Sequence, residues 1–343
     1  MNRIDFAHGR VDLSHGSGGR AMAKLIEQLF VAEFDNGYLG AQHDGAALPM
    51  PPADSRLILA TDSHVVSPLF FPGGDIGSLA VHGTVNDVAM CGGAPLYLTA
   101  GFILEEGFPL ADLRRIVQSM AAAAREANVA IVTGDTKVVQ QGKGDGVFIS
   151  TTGVGHAPAG IAISPRRIRP GDKILLSGHL GDHGVAIMSL RENLGFETAL
   201  QSDSAALHTL VADMLRAAPD VRCLRDPTRG GLAAVLNEFA QQAGCGMRIR
   251  ESALPIRQEV AAACELLGLD PLYVANEGKL VAVCAPEDAD ALLAAMRAHP
   301  RGRDAAIIGE AVADSNRFAQ METAFGGRRM VDWINGEQLP RIC

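Results

Sequence analysis

Four aspartates stand where carboxylate side chains could bind a hard metal ion. Asp62 and Asp135 directly follow short apolar runs that read as strands, so both are expected at strand ends. Asp44 lies in a loop, and Asp87 lies on a helix that Asp75 is expected to cap. Mg²⁺ prefers oxygen ligands and usually shares them with substrate phosphates. An aspartate after a strand is also a common turn residue, so spacing alone leaves both interpretations open.

Two glycine-rich segments precede predicted helices and offer backbone N–H groups to an anion. The first contains Gly16, Ser17, Gly18 and Gly19. The second contains Arg229, whose guanidinium can bind a phosphate through two donors. Neither segment is a Walker A sequence or a dinucleotide-binding fingerprint. A flexible glycine loop and an ordinary helix start therefore remain as alternatives.

Lysine is scarce, and two of the five lysines lie beside suspected site residues. Lys137 stands two positions after Asp135, and Lys279 stands two positions after Glu277. A solvated surface charge is the usual role of a single lysine, and it remains the alternative here.

The cysteines are spaced too widely for a zinc ribbon or a thioredoxin-type motif, because no C-x-x-C pair occurs among the six. Five of them lie in apolar or periodic contexts and are expected to pack in the core. Cys343 is the last residue, and the stretch after Gly336 can extend over roughly 23 to 25 Å. A thiol on such a tail suits a covalent carrier that is loaded at one place and reacts at another, although a terminal residue without a role remains the alternative.

The overall composition is that of a globular protein of about two domains. The chain has 343 residues, of which 48% are hydrophobic and 20% charged. Its net charge of −9 disfavours binding to nucleic acid or to an anionic membrane. We find neither a signal-peptide pattern nor a long apolar run, so a cytoplasmic protein with free thiols is expected.

Strand and helix patterns alternate along the chain, and the composition changes to Pro, Gly and Arg around His156 to Pro170. We therefore predict an N-terminal domain over residues 1–157, a C-terminal domain over 168–324 and a flexible tail over 325–343. A helix is expected to begin after Ser17, and a long strand is expected from Leu272 to Cys284.

Short motifs along nearly the whole chain resemble those of the HypE family of hydrogenase maturation factors, within the superfamily of aminoimidazole ribonucleotide synthetase and selenophosphate synthetase. The matching segments are HGSGG (15–19), TDS (61–63), LFFPGGD (69–75), ND (86–87), GFILEEG (101–107), GDTK (134–137), GDHG (181–184), RGG (229–231), NEGK (276–279) and PRIC (340–343). The ending PRIC is highly specific to that family, and several of the other motifs are shared across the superfamily.

The resemblance implies a two-domain α+β fold of the PurM-like type, with an N-terminal sheet domain and a C-terminal α/β sandwich. It implies a homodimer that pairs the N-terminal sheets. It also implies ATP in the cleft, bound through Mg²⁺ by Asp62, Asp87 and Asp135, with Asp44 as a further ligand. The glycine-rich segment, Asn86, Thr136 and Arg229 would contact the nucleotide.

The activity that the resemblance implies is that of an ATP-driven carbamoyl dehydratase. A HypF-type carbamoyltransferase would load Cys343, and ATP would drive dehydration of the carbamoyl group to a thiocyanate. The cyano group would then pass to a HypC–HypD complex as the cyanide ligand of the hydrogenase iron. Glu277 as general base and Lys137 as a charge stabiliser would lie beside the thiocarbamate. Which of the two accepts the N–H proton is left open.

Two other functions remain as alternatives. One is a selenophosphate or aminoimidazole ribonucleotide synthetase on the same fold, although no cysteine stands near the first glycine-rich segment, where selenophosphate synthetases carry a reactive residue. The other is an ATP-binding scaffold without enzymatic activity. His43 stands where an acidic neighbour of Asp44 is expected, and this departure weakens the case for a metal ligand in that loop.

Overall fold

The computed structural model describes residues 3–41, 43–192, 200–333 and 341–343. The helices and strands of the N-terminal half are α1 (Arg20–Leu25), α2 (Ala32–Phe34), α3 (Gly37–Gly40), β1 (Ser55–His64), β2 (Phe70–Phe71), β3 (Gly74–Asp75), α4 (Ile76–Met90), β4 (Ala94–Glu105), α5 (Leu110–Glu126), β5 (Ala130–Val139) and β6 (Val147–Pro158). A π-helical segment, Ile26–Val31, joins α1 to α2.

A four-stranded sheet in the order β1-β6-β4-β5 forms the N-terminal half, and α4 and α5 pack on one of its faces. The strand pairs are antiparallel except for β4 with β5. The opposite face carries the exposed side chains of Leu57, Leu59 and Ile103. An apolar face of this kind on a sheet is a common site of association between chains.

The C-terminal half contains a seven-stranded sheet covered by helices. Its elements are β7 (Lys173–Leu176), α6 (Asp182–Arg191), α7 (His208–Ala217), β8 (Cys223–Arg225), α8 (Gly231–Ala243), β9 (Gly246–Arg250), α9 (Gln258–Leu267), β10 (Val281–Cys284), α10 (Ala289–Ala298), β11 (Ala306–Val312), β12 (Ala319–Glu322) and β13 (Arg328–Met330). The strand order is β13-β12-β9-β11-β7-β10-β8, and only β12 with β9 is parallel. The edge strand β13 lies within the segment that the sequence analysis assigns to the tail. No described helix is long and apolar enough to span a bilayer.

Helix α4 begins where the sequence predicts, because Asp75 caps it. The Asp75 carboxylate accepts the backbone N–H groups of Gly77 and Ser78, and the Ser78 hydroxyl closes a capping box. A cap of this kind stabilises a helix by about 1 kcal/mol. The helix is buried on nearly every side, so it serves as a rigid support between the two halves.

The strands β1 and β5 are longer than predicted, and this changes the positions of two aspartates. Asp62 lies within β1 and Asp135 within β5, rather than at strand ends. Side chains alternate between the faces of a sheet. Asp62 shares the α4 face with buried His64, whereas Asp135 lies on the exposed face with Lys137.

His82, buried in α4, makes stability depend on pH. Burial lowers the pKa of His82 to about 4, and Arg301 adds to the effect. The unfolded chain therefore binds a proton near pH 6.5, before the folded chain does, so the free energy of unfolding falls as the pH drops from 6.5 to 4. We expect a loss of up to about 3 kcal/mol from this group. Urea unfolding of wild type and His82→Asn at pH 7 and 4.5 measures it: the variant should lose less stability, and an identical loss in both proteins would contradict the assignment.

Candidate active site

The last three residues of the chain lie in the cleft between the two halves. The N–H of Val65 donates to the terminal carboxylate of Cys343 at 3.2 Å, and the N–H of Ser67 donates to the carbonyl oxygen of Arg341 at 3.1 Å. The side chain of Ile342 is buried in the N-terminal core. The chain end is thus held by the segment that leaves β1.

The thiol of Cys343 lies close enough to the carboxyl group of Glu277 for each group to shift the pKa of the other. Burial raises the pKa of this thiol strongly, and the nearby Glu277 raises it further. Burial also raises the pKa of Glu277 well above its ordinary value, and Asp226 and Asp203 add to the shift. Burial thus favours the neutral form of both groups, which lie close together in the cleft.

Glu277 lies on an irregular segment, residues 274–280, that is fixed from three sides. The carboxamide of Asn276 accepts the N–H of Gly181 at 2.7 Å and donates to the carbonyl of Pro227 at 2.9 Å. The N–H of Glu277 donates to the carboxylate of Asp203 at 3.0 Å. The Nζ of Lys279 lies 3.1 Å from the same carboxylate in a buried ion pair. The proposed base therefore sits on a rigid loop.

A cluster of acidic side chains lies beside Glu277. Burial raises the pKa of Asp87 to about 7, and the charges of Asp226 and Asp62 contribute to the shift. Burial likewise raises the pKa of Asp226 to about 6, and Asp62 again contributes. Carboxylates close enough to repel each other in a partly buried site are stabilised by a bound cation.

The carboxylates of this cluster are not gathered into a complete metal site. Among the described residues, no three His, Cys, Asp or Glu side chains converge closely enough to hold an ion by themselves. Mg²⁺ commonly takes only one or two carboxylates and completes its shell with water and phosphate oxygens. The donor set therefore fits a magnesium ion that arrives with a nucleotide.

A second group of predicted residues lies on the other face of the N-terminal sheet. The Nζ of Lys137 contacts both carboxylate oxygens of Asp135, at 2.6 and 2.9 Å, and forms no hydrogen bond or ion pair with Glu277 or Cys343. Gly16 packs against Val138, so the first glycine-rich segment lies beside the end of β5. In a single chain, the structure does not bring Lys137 and Asp135 to the thiol.

The remaining residues of the first glycine-rich segment are open to solvent. Ser17, Gly18 and Gly19 are exposed, and no heavy atom lies within 4 Å of a Cβ built on either glycine. Helix α1 begins after Gly19 and not after Ser17, whose hydroxyl donates to the carbonyl of Ser14. This geometry leaves room for a ligand.

The other predicted contact residues differ in their surroundings. Asn86 is buried, and its carboxamide donates to the carbonyls of Ala205 and Glu277 and accepts the N–H of Leu207. It therefore ties the two halves together, and its role in nucleotide binding stays a prediction that this geometry does not support. Arg229 is exposed, and its charge opposes the rise in the pKa of Cys343. Thr136 is buried under the sheet, and Asp44 is exposed in its loop.

A polar cavity of about 750 Å³ lies between the halves, on the Lys279 side of the 274–280 segment. None of the residues predicted from the sequence to bind the nucleotide or the metal lines it. Several of its basic side chains form ion pairs with carboxylates, including Arg257 with Asp182, and Lys279 with Asp203. The positive charges on the cavity walls are thus largely neutralised by carboxylates that line the same cavity.

Three residues near the thiol were not among the predicted site residues. Asp226 belongs to the second glycine-rich segment, which was interpreted only as an anion site. His183 belongs to the GDHG motif, and its Nε2 lies 2.7 Å from the carbonyl oxygen of Ile342. Asp203 stands in no recognisable motif, so its contact with the N–H of Glu277 could be found only from the folded chain.

The two stacked α+β domains, with acidic side chains in their cleft, define the class of AIR synthase related proteins. The model of their N-terminal domain matches residues 42–157, and that of their C-terminal domain matches residues 169–322. The carbamoyl dehydratase HypE of Azotobacter vinelandii is 67% identical over the full length of both chains. The carbamoyl dehydratase HypE of Escherichia coli K12 is 50% identical, over 97% of this chain and 98% of its own. The chain belongs to the HypE family.

Solved structures agree with this assignment. A crystal structure of the hydrogenase maturation protein HypE in complex with ATP has a TM-score of 0.93 at 50% identity, and the match covers 96% of this chain and 99% of that one. A HypE–HypF complex has a TM-score of 0.79 at 48% identity over 90% of this chain and 99% of that one. A thiamine monophosphate kinase from Aquifex aeolicus, at 20% identity and a TM-score of 0.61, shares the fold.

Proposed function

We propose that this protein dehydrates an S-carbamoyl group on its own Cys343 to a thiocyanate at the expense of ATP, and so supplies the cyanide ligand of the [NiFe]-hydrogenase iron. The observation that carries the proposal is the terminal thiol, which lies buried in the cleft against the carboxyl group of Glu277. The name carbamoyl dehydratase, borne by a relative identical at 67% of positions, supports the same activity.

The reaction needs a leaving group and a base. The carbamoyl oxygen attacks the γ-phosphorus of ATP, ADP leaves, and one proton leaves the nitrogen. The oxygen, a poor leaving group by itself, thereby becomes part of a phosphate ester, which is a good one. Loss of the remaining N–H proton and of phosphate then forms the C≡N bond. The products are a thiocyanate, ADP and phosphate, and the oxygen of the carbamoyl group departs with the phosphate.

Glu277 is suited to take the nitrogen proton. A base is most effective when its pKa lies near the working pH, and burial moves the pKa of Glu277 in that direction. Its buried surroundings favour the neutral acid, which is the form produced by accepting the proton. Its contact with the Cys343 sulfur also brings it next to the group bonded to that sulfur. We therefore assign the proton to Glu277 rather than to Lys137.

We propose that one or two carboxylates among Asp62, Asp87 and Asp226 would hold the Mg²⁺ of the substrate Mg-ATP. Their mutual repulsion and the raised pKa values of Asp87 and Asp226 support this assignment. When bound, Mg²⁺ would neutralise charge on the transferring phosphoryl group. Arg229 would add a positive charge at the same mouth of the cleft. The glycine-rich segment, Asp135 and Lys137 form a separate surface, and Asp44 is a weaker candidate ligand because it lies exposed in its loop.

The partners follow from the chemistry of the tail. We propose that a HypF-type carbamoyltransferase loads the thiol in the reducing cytoplasm, and a complex described as HypE–HypF supports this partner. A HypC–HypD complex would accept the cyano group. We further propose a homodimer that pairs the exposed sheet faces, supported by the solvent-exposed Leu57 and Leu59 on β1.

Mass spectrometry of the carbamoylated protein tests the proposed function. We expect Mg-ATP to lower the mass of the intact chain by about 18 Da, the mass of one water. Cys343→Ala should not be carbamoylated at the tail and should show no such loss. An unchanged mass in the loaded wild-type protein would contradict the proposal and favour a scaffold that only binds ATP.

A further inference from the structure

His183 connects the docked tail to the protein interior. The ring is fully buried on α6, with Nε2 at 2.7 Å from the carbonyl oxygen of Ile342 and Nδ1 at 2.7 Å from the hydroxyl of Ser202. Because a carbonyl can only accept, Nε2 must carry the hydrogen. In the neutral ring Nδ1 then accepts from Ser202, so these two partners determine the tautomer.

The side chain of Ile342 occupies an apolar position next to the same helix. It is 3% exposed and belongs to the core cluster that includes Ile187 and Ala275. Ile187 stands four positions after His183, and side chains at this spacing lie on the same face of a helix. One face of α6 therefore presents a hydrogen-bond donor to the tail backbone and an apolar side chain to the core cluster in which Ile342 is buried.

The outer end of the tripeptide is held by charged groups. The guanidinium of Arg191, at the end of α6, donates to the carbonyls of Ser67 and Arg341. The guanidinium of Arg341 forms an ion pair with Asp145 at 2.8 Å. The contacts thus involve each of the last three residues and both halves of the protein.

The residues that hold His183 also hold the proposed base. The hydroxyl of Ser202 donates to Nδ1 of His183, and the carboxylate of the next residue, Asp203, accepts the N–H of Glu277 at 3.0 Å. A shift of this short segment would move the tail carbonyl and the base together. The segment from Ser202 to Asp203 therefore contributes to the distance between the thiol and Glu277.

We propose that His183 is a positioning residue, and that the surface formed by residues 65–67, His183, Ile187 and Arg191 is a binding site for the carboxyl-terminal sequence Arg-Ile-Cys. The purpose of this positioning rests on the proposed function, but the docking itself does not.

Alkylation of the cysteines in the full-length protein tests this proposal without any turnover. Iodoacetamide reacts with an accessible thiolate, so the rate at Cys343, followed by peptide mass spectrometry, measures the fraction of undocked tail. The exposed Cys91 provides a reference rate, and the fully buried Cys284 reports unfolding. In wild type, we expect Cys343 to react more slowly than Cys91.

The substitution His183→Phe keeps a ring but removes the donor, and His183→Gln restores an amide N–H at about the position of Nε2. Loss of one buried hydrogen bond shifts an equilibrium by roughly 2- to 12-fold. We expect Cys343 to react faster by that factor in His183→Phe and near the wild-type rate in His183→Gln, while Cys91 and Cys284 are unchanged.

His82→Phe is a matched control, because His82 is also buried and bonds the hydroxyl of Ser204 in the same segment without touching the tail. An unchanged Cys343 rate in His183→Phe, or equal acceleration in His82→Phe, would overturn the proposal. If His183→Phe also exposes Cys284, Ile187→Ala decides: selective acceleration at Cys343 supports the site, and no acceleration refutes it. A dehydration assay that fails while these rates behave as expected would count against the proposed function alone.

Discussion

Replacing Glu277 with glutamine is expected to abolish most dehydration while ATP binding and loading of Cys343 persist. The amide is nearly the same size and can still contact the sulfur, but it cannot accept the nitrogen proton. Removing a general base usually costs about 10²- to 10⁴-fold in rate. Glutamine also carries no charge to bury, so the variant should fold at least as stably as wild type.

The rate is measured by stopping the reaction of carbamoylated protein with Mg-ATP at intervals and following the loss of water by mass spectrometry. Glu265→Gln provides a matched control, because Glu265 is exposed on α9 and should leave the rate unchanged. If Glu277→Gln turned over at the wild-type rate, the base would lie elsewhere, and Lys137 would be the next residue to substitute.

Substituting Gly278 with alanine is expected to damage both stability and turnover. A Cβ at this position would lie 1.8 Å from the carbonyl oxygen and 2.8 Å from the carbonyl carbon of Asp203. Both atoms belong to the backbone, so no side chain can rotate to relieve the clash, and the 274–280 segment must shift. Overpacking of this kind costs about 1 to 3 kcal/mol, and a displacement of about 1 Å at a reacting group can cost about 100-fold in rate.

Urea unfolding and the dehydration assay measure the two effects. Gly160→Ala is the control, since a Cβ there meets no heavy atom within 4 Å. It should change the free energy of unfolding by less than about 0.5 kcal/mol. Wild-type turnover in Gly278→Ala would show that the close approach to Asp203 does not determine the position of Glu277.

Local signals in the sequence predicted local structure well. The capping pattern at Asp75 placed the start of α4, because the cap depends on residues within one helical turn. The predicted strand from Leu272 to Cys284 was wrong over most of its length, since only Val281–Cys284 is a strand. Asn276 explains the difference, because its carboxamide binds the backbone of Gly181 and Pro227. These contacts hold the segment in an irregular conformation, although its apolar residues predicted a β-strand.

The arrangement of the site depends on contacts that no local pattern encodes. Asp62 and Asp135 both follow apolar runs, yet alternation along β1 and β5 sends their side chains to opposite faces of one sheet. A strand next to each aspartate was predictable, but the length of the strand, its register and the packing of α4 were not. Asp203 and Asp226 reach Glu277 through contacts between distant segments of the C-terminal domain, and Asp62 reaches it from the N-terminal domain.

The docked tail also determines how the cleft would respond to inhibitors. A group attached to its own binding site by a short linker is present at an effective concentration of millimolar order. A small molecule designed for the thiol position must therefore displace a competitor that never diffuses away. When a partner protein holds the tail outside the cleft, this competition is absent. A screen against the complex with a partner should therefore detect compounds that a screen against the isolated chain misses.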